Sequence, residues 1–155
     1  MTVNSKVLAE TLFTELIQSK PSPVPEDMHV EGAAVPVLKA KIRLYEYVTI
    51  LLAILGEAEK RPQFNSVREH FERLYFPAGI DFGALQDVRA AMADLSTLLT
   101  PREGEVHKPM SWARDWLGRI GIEETNPVTL DLIALGWMDY YITAIDALKE
   151  FDPIV

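Results

Sequence analysis

Apolar residues recur at helical spacing along most of the chain. Leu8, Leu12 and Leu16 fall every four residues with Phe13 and Ile17 beside them, a single stripe that predicts a helix from about Ser5 to Ser19. Pro21, Pro23 and Pro25 end it, and residues 20–33, which have no period, read as a long Pro-containing loop and a candidate contact surface. A second helix is predicted over about 36–60. Its first half keeps a solvated edge, with Lys39, Arg43 and Glu46 within about 60° of one another on the helical wheel. From Tyr47 to Leu55 the apolar residues go all the way round, so this half should be buried on every side, by other helices or by a partner subunit.

After Pro62, Ser66-Val67-Arg68-Glu69 has the form of a capping box and predicts the start of a third helix with a buried stripe of Val67, Phe71 and Leu74. Arg68 with Glu72 and Glu69 with Arg73 are spaced as i,i+4 ion pairs on its wet side, and Pro77 and Gly79 close it. Asp81 is placed to cap a fourth helix whose stripe is Leu85, Val88, Met92, Leu95 and Leu99. That stripe is narrow, which suits a helix on a bundle surface or an antiparallel pair across a homodimer. Residues 100–109 form a second Pro-containing loop, and Trp112, Trp116, Leu117 and Ile120 define a short fifth helix with Gly121 as its left-handed cap. Asn126-Pro127 combines an N-cap side chain with proline at the first helical position, and the sixth helix should run to about Glu150. Asp139, Thr143, Asp146 and Glu150 share one wet strip about 60° wide, leaving Trp137, Tyr140, Tyr141, Ile145 and Leu148 for the core. No alternating strand segment and no internal repeat is evident. The expected fold is all-α: one domain over residues 1–155, a compact bundle of about six helices, with the second (about 36–60) and sixth (about 127–150) central and antiparallel.

Composition adds bounds to this picture. The 155 residues are 48% apolar and 25% charged, a globular balance, and a chain of this length stays folded without metal or disulfide. With no cysteine there is no disulfide, thiolate zinc site or cysteine nucleophile. Fifteen Lys plus Arg against 23 Asp plus Glu give a net charge of −8, the wrong sign for a phosphate-backbone binder, so nucleic acid is not an expected partner. The excess is lopsided: residues 1–78 carry nine basic and ten acidic side chains, net −1, and residues 79–155 carry six and 13, net −7. An acidic face steers a basic partner, although the same charges also serve simply as solvation. Residues 1–20 lack the continuous apolar stretch of a signal peptide, so the expected location is cytoplasmic. The longest apolar run, Tyr47 to Gly56, is ten residues where a membrane span needs about 20, and reads as core rather than membrane.

No linear catalytic signature is present. The chain has no nucleophile elbow, Walker loop, dinucleotide fingerprint, His-Glu-x-x-His, EF-hand loop or Glu-x-x-His, so no catalytic residue, cofactor or metal is assigned. Gly118-Arg119-Ile120-Gly121 matches a bare Gly-x-x-Gly, but a helix cap accounts for Gly121 without it. His70 borders the third helix's apolar stripe and reads as boundary packing. His29 and His107 fall one in each long loop among several carboxylates; if the loops met, they would supply an enzyme or metal site. Trp137, Tyr140 and Tyr141 are the alternative, a pocket wall for a small apolar ligand. Trp112 and Trp116, one turn apart beside Asp115, Glu123 and Glu124, have the form of aromatic anchors in an acidic rim. The function that survives elimination is a non-enzymatic interaction, adaptor or accessory protein, acting on a protein partner, one with a basic face, through an acidic helical surface.

Overall fold

A computed structural model describes residues 2–18, 34–100, 108–119, 121–123 and 126–154. The architecture is all-α. The Asn4 side chain accepts the Lys6 backbone N–H at 2.9 Å and opens helix α1 (Ser5–Leu12), which continues as a π-helical stretch, Phe13–Gln18. Leu8, Leu12, Leu16 and Ile17 are buried as the stripe predicts, with α1 packed against α3 and the π-helical stretch against α2. Helix α2 (Ala34–Lys60) is buried at every position from Tyr45 to Leu51, and Leu52 and Leu55 are half-buried. Lys39 and Arg43 are exposed as expected, but Glu46, expected on the same wet edge, is buried at 7% exposure, because the enclosure of α2 begins at Tyr45 and takes in that side of the helix.

Helix α3 (Phe64–Tyr75) departs from its expected start. The N–H groups of Phe64, Asn65 and Ser66 donate to the carbonyls of Arg61, Pro62 and Gln63 at 3.0–3.3 Å, so the first turn is wound before Ser66 and no capping box forms. Phe64 is fully buried, and starting the helix at that residue is what delivers the ring to the core. The ion pair on this helix, among the described residues, is Arg68 with Glu69 at 4.0 Å rather than the i,i+4 pairs. Gly79 follows with φ +90°, a backbone that glycine adopts without strain.

Asp81 caps α4 (Phe82–Leu99) by accepting the Ala84 N–H at 2.7 Å. The buried stripe is Val88, Ala91, Leu95 and Leu98, with Leu85, Met92 and Leu99 half-buried at its edge. The buried part of this face packs against α2 and α6. Helix α5 (Pro109–Arg119) ends at Gly121, φ +86°, where Ile122 N–H reaches back to the Leu117 carbonyl at 2.9 Å in a Schellman cap. Helix α6 (Pro127–Lys149) starts with the Asn126 side chain accepting Val128 N–H at 3.0 Å and Pro127 at the first position.

Two expectations are corrected. Helices α2 and α6 pack side by side but run in the same direction: Tyr45 lies 5.9 Å from Trp137 by ring centroids, and sixteen residues on Arg61 reaches the Leu148 carbonyl at 3.0 Å. Short loops make sequential helices antiparallel, but three helices intervene here and no periodicity encodes the outcome. The chain also contains a strand pair, β1 (Thr2–Asn4) parallel to β2 (Asp152–Ile154), with Val3 opposite Pro153. Three-residue segments carry no readable alternation, and proline is tolerated because each strand is an edge. Arg61 holds the end of the chain there. Its guanidinium donates to the carbonyls of Leu148 and Phe151, pairs with Glu57 and Asp152 at 3.0 Å, and lies 4.5 Å over the Phe64 ring.

Candidate functional site

The aromatic residues singled out by sequence do come together. Tyr45 of α2 stands among Trp112 (6.5 Å), Trp116 (5.4 Å) and Trp137 (5.9 Å), the two α5 tryptophans are stacked at 6.0 Å, and Tyr140 follows Trp137 at 6.2 Å. Asp94 of α4 ties the cluster to its own helix. Its carbonyl accepts the Trp112 indole N–H at 3.0 Å, while its carboxylate accepts the Tyr45 hydroxyl at 2.5 Å and the Arg119 guanidinium at 2.8 Å. Burial and then the Asp94 carboxylate hold the Tyr45 hydroxyl well above the usual phenol range, so it stays protonated and keeps donating.

These rings are core. Trp112 is 8% exposed and Trp116 1%, so neither is the exposed anchor that the sequence suggested. A partner cannot bury what the fold has already buried. Asp115 and Glu123 are exposed, and Glu124 lies outside the described residues. The apolar-ligand reading also needs correction in its residues: Trp137 and Tyr140 are fully buried in the core, and Tyr141 instead lines a cleft of about 330 Å³ against the end of α2. A different cleft, of about 360 Å³, opens between α2, α3 and α4 and is lined by Val37, Leu44, Tyr75 and Phe76 with Lys41 and Asp87 at its edges. His29 and His107 lie outside the described residues, and among those described no group of three His, Asp or Glu side chains is placed to hold a metal. His70 is half-buried between α1 and α3, beside Lys6, Glu10, Arg73 and Leu74.

Because all three tryptophans are enclosed, the folded protein should emit at the blue end of the indole range and resist quenching by iodide and acrylamide. Red-shifted emission that iodide quenches would return an exposed tryptophan to consideration.

Exposed large apolar side chains lie elsewhere: Phe82 on α4 is 73% exposed, and four share the outer face of α6. Val128 is 65% exposed, Leu132 53%, Leu135 49% and Ile142 54%, and exposed Asp131, Asp139 and Asp146 stand among them. At 100° per residue, Val128, Leu132, Leu135, Asp139, Ile142 and Asp146 all fall within an arc of about 80°. The wet edge of α6 is therefore wider than the sequence reading gave, and part of it is apolar. The signal was present on the wheel. The wet strip read from Asp139, Thr143, Asp146 and Glu150 alone leaves it out, although Leu132, Leu135 and Ile142 fall beside Asp139 and Asp146 on the wheel. Between Pro127 and Leu148 the helix has three aspartates and no basic residue. Its length and composition would also suit a membrane span, and a third of its most apolar window is buried.

Comparison of the chain with protein-family models, with curated proteins and with solved structures returns no match.

Proposed function

We propose that the protein is a non-enzymatic interaction module, an adaptor or accessory protein of the cytoplasm that docks a protein partner on an acidic helical surface. One observation carries this reading: the half-exposed Val128, Leu132, Leu135 and Ile142 form a single ridge on α6, set among aspartates. Scattered apolar side chains on a surface need no explanation, whereas several aligned on one helix face form the kind of patch that partners cover. The reading moves the contact from the buried tryptophans to α6 and keeps the acidic surface.

A photo-crosslinking residue at position 135 of the intact protein, in extract of its own cells, tests it. Position 7 is the control, since Val7 is equally exposed on α1, away from the ridge. The expected result is one dominant adduct at position 135 that excess wild type competes away and excess Leu132→Asp does not. Equal, non-competed labelling at both positions would overturn the assignment. The apolar-ligand alternative now rests on the cleft between α2, α3 and α4, and a crosslinking failure at α6 would turn attention there.

A further inference from the structure

We propose that the cleft between α1 and α3 binds a small soluble phosphate monoester, held by Lys6, His70 and Arg73. The site belongs to other helices than the α6 ridge, so its test stands or falls independently of the interaction reading. A volume of about 280 Å³ is lined there by Lys6 and Glu10 of α1 and by His70, Arg73 and Leu74 of α3. Residues three and four apart share a helix face, so each helix turns its group toward the same hollow. Three of the four titratable side chains are basic, in a chain whose acids outnumber Lys plus Arg by 23 to 15. Lys6 and Arg73 are exposed, and neither enters a salt bridge among the described residues. Glu69, which the i,i+4 spacing offered to Arg73, lies by Arg68 instead.

What such a hollow fits is an anion that accepts from several donors at once. A guanidinium, an ammonium and an imidazole N–H supply a donor to each of the three terminal oxygens of a phosphate, and a neutral imidazole still offers one N–H. Bonds of this charge-assisted kind are roughly twice as strong as neutral ones. Glu10 defines the rest of the ligand. Its carboxylate repels a bare anion but accepts from a hydroxyl, so the ester of a small polyol sets its phosphate against the cations and a hydroxyl against Glu10, with Leu74 as the apolar wall. The volume sits at the lower end of the roughly 300–1,000 Å³ of small-molecule clefts, which keeps the ligand small. An extended polyanion or an anionic membrane fits less well: the net charge of −8 repels a large surface over a Debye length of about 8 Å, whereas the three cations act on a small anion at contact.

Calorimetric titration of the intact protein with glycerol 3-phosphate and with inorganic phosphate tests the assignment. Glycerol 3-phosphate should bind saturably at a single site and more tightly than inorganic phosphate. Lys6→Gln and Arg73→Gln should each weaken it by about tenfold or more, the loss of one charge-assisted contact, with an unchanged circular dichroism spectrum. Arg89→Gln, at an exposed arginine of α4 outside the cleft, should leave it unchanged. Glu10→Ala should tighten inorganic phosphate by removing a repelling charge, and narrow the preference for the ester by removing the acceptor of its hydroxyl. No saturable binding of either probe overturns the proposal, as does a loss in Arg89→Gln equal to that in Arg73→Gln, which reduces the effect to diffuse charge. Equal affinity for the two probes, or a preference unmoved by Glu10→Ala, overturns the ester assignment. Binding to phosphatidylcholine–phosphatidic acid vesicles without binding of glycerol 3-phosphate assigns the cleft to a lipid surface and likewise overturns it.

Discussion

Trp137→Ala should lose about 3–5 kcal/mol of unfolding free energy in urea titration, a large part of the roughly 5–15 kcal/mol available to a domain of this kind. The ring is fully buried and is the meeting point of three elements: Tyr45 of α2 at 5.9 Å, Trp116 of α5 at 5.9 Å and Tyr140 of α6 itself at 6.2 Å. Removing it opens a cavity between helices that are already held in register by Asp94, Tyr45 and Arg119, so collapse into the space is restricted. Trp137→Phe should retain most of the stability, because the indole N–H is buried and meets no acceptor among the described residues, so its removal costs no hydrogen bond. If Trp137→Ala costs less than about 1 kcal/mol, this cluster is not the centre of the core.

The same cluster marks what a single sequence can and cannot convey. Leu8, Leu12, Leu16 and the run from Tyr47 to Leu51 could be assigned to the core because helical period and local density express burial directly. Caps were legible where one side chain serves its own helix, as at Asn126 and Asp81. Ser66 was misread because the pull of Phe64 into the core is a tertiary effect that overrides a local capping pattern. The common direction of α2 and α6 and the pairing of β1 with β2 depend on how distant segments meet, and no neighbouring residue records that. The outer face of α6 was lost for a different reason. Leu132 and Leu135 satisfy every local criterion for core residues, and only the placement of α2, α4 and α5 shows that no helix was left to cover them. A surface kept apolar for a partner looks, one residue at a time, like a surface kept apolar for the fold.

Glu46→Gln should stabilise the protein at pH 8 and have almost no effect at pH 4. Glu46 is 7% exposed on α2, and burial pushes its carboxyl up to about 7 from an ordinary 4.5, against the opposing influence of the Arg43 guanidinium one turn away. The phenols of Tyr140 and Tyr75 lie within its field, and neither supplies a positive charge. Below pH 4.5 the carboxyl is protonated whether the chain is folded or unfolded, so its contribution to stability is fully present. Between 4.5 and about 7 the unfolded chain releases the proton while the folded chain retains it, and stability falls. Above the folded value the ionised carboxylate is carried at a cost on the order of 3 kcal/mol, from about 1.4 kcal/mol per pKa unit. Glutamine has nearly the same shape and does not ionise, so it should recover most of that cost, about 2–3 kcal/mol at pH 8. Urea midpoints of wild type and variant, measured every half unit from pH 4 to 9, check the prediction. The two curves should coincide at the acid end and separate with a midpoint between the two pKa values, the variant above. Should the variant instead be less stable at pH 8, Glu46 is held as a paired carboxylate in the fold, and its burial is compensated by a cation rather than by its own proton.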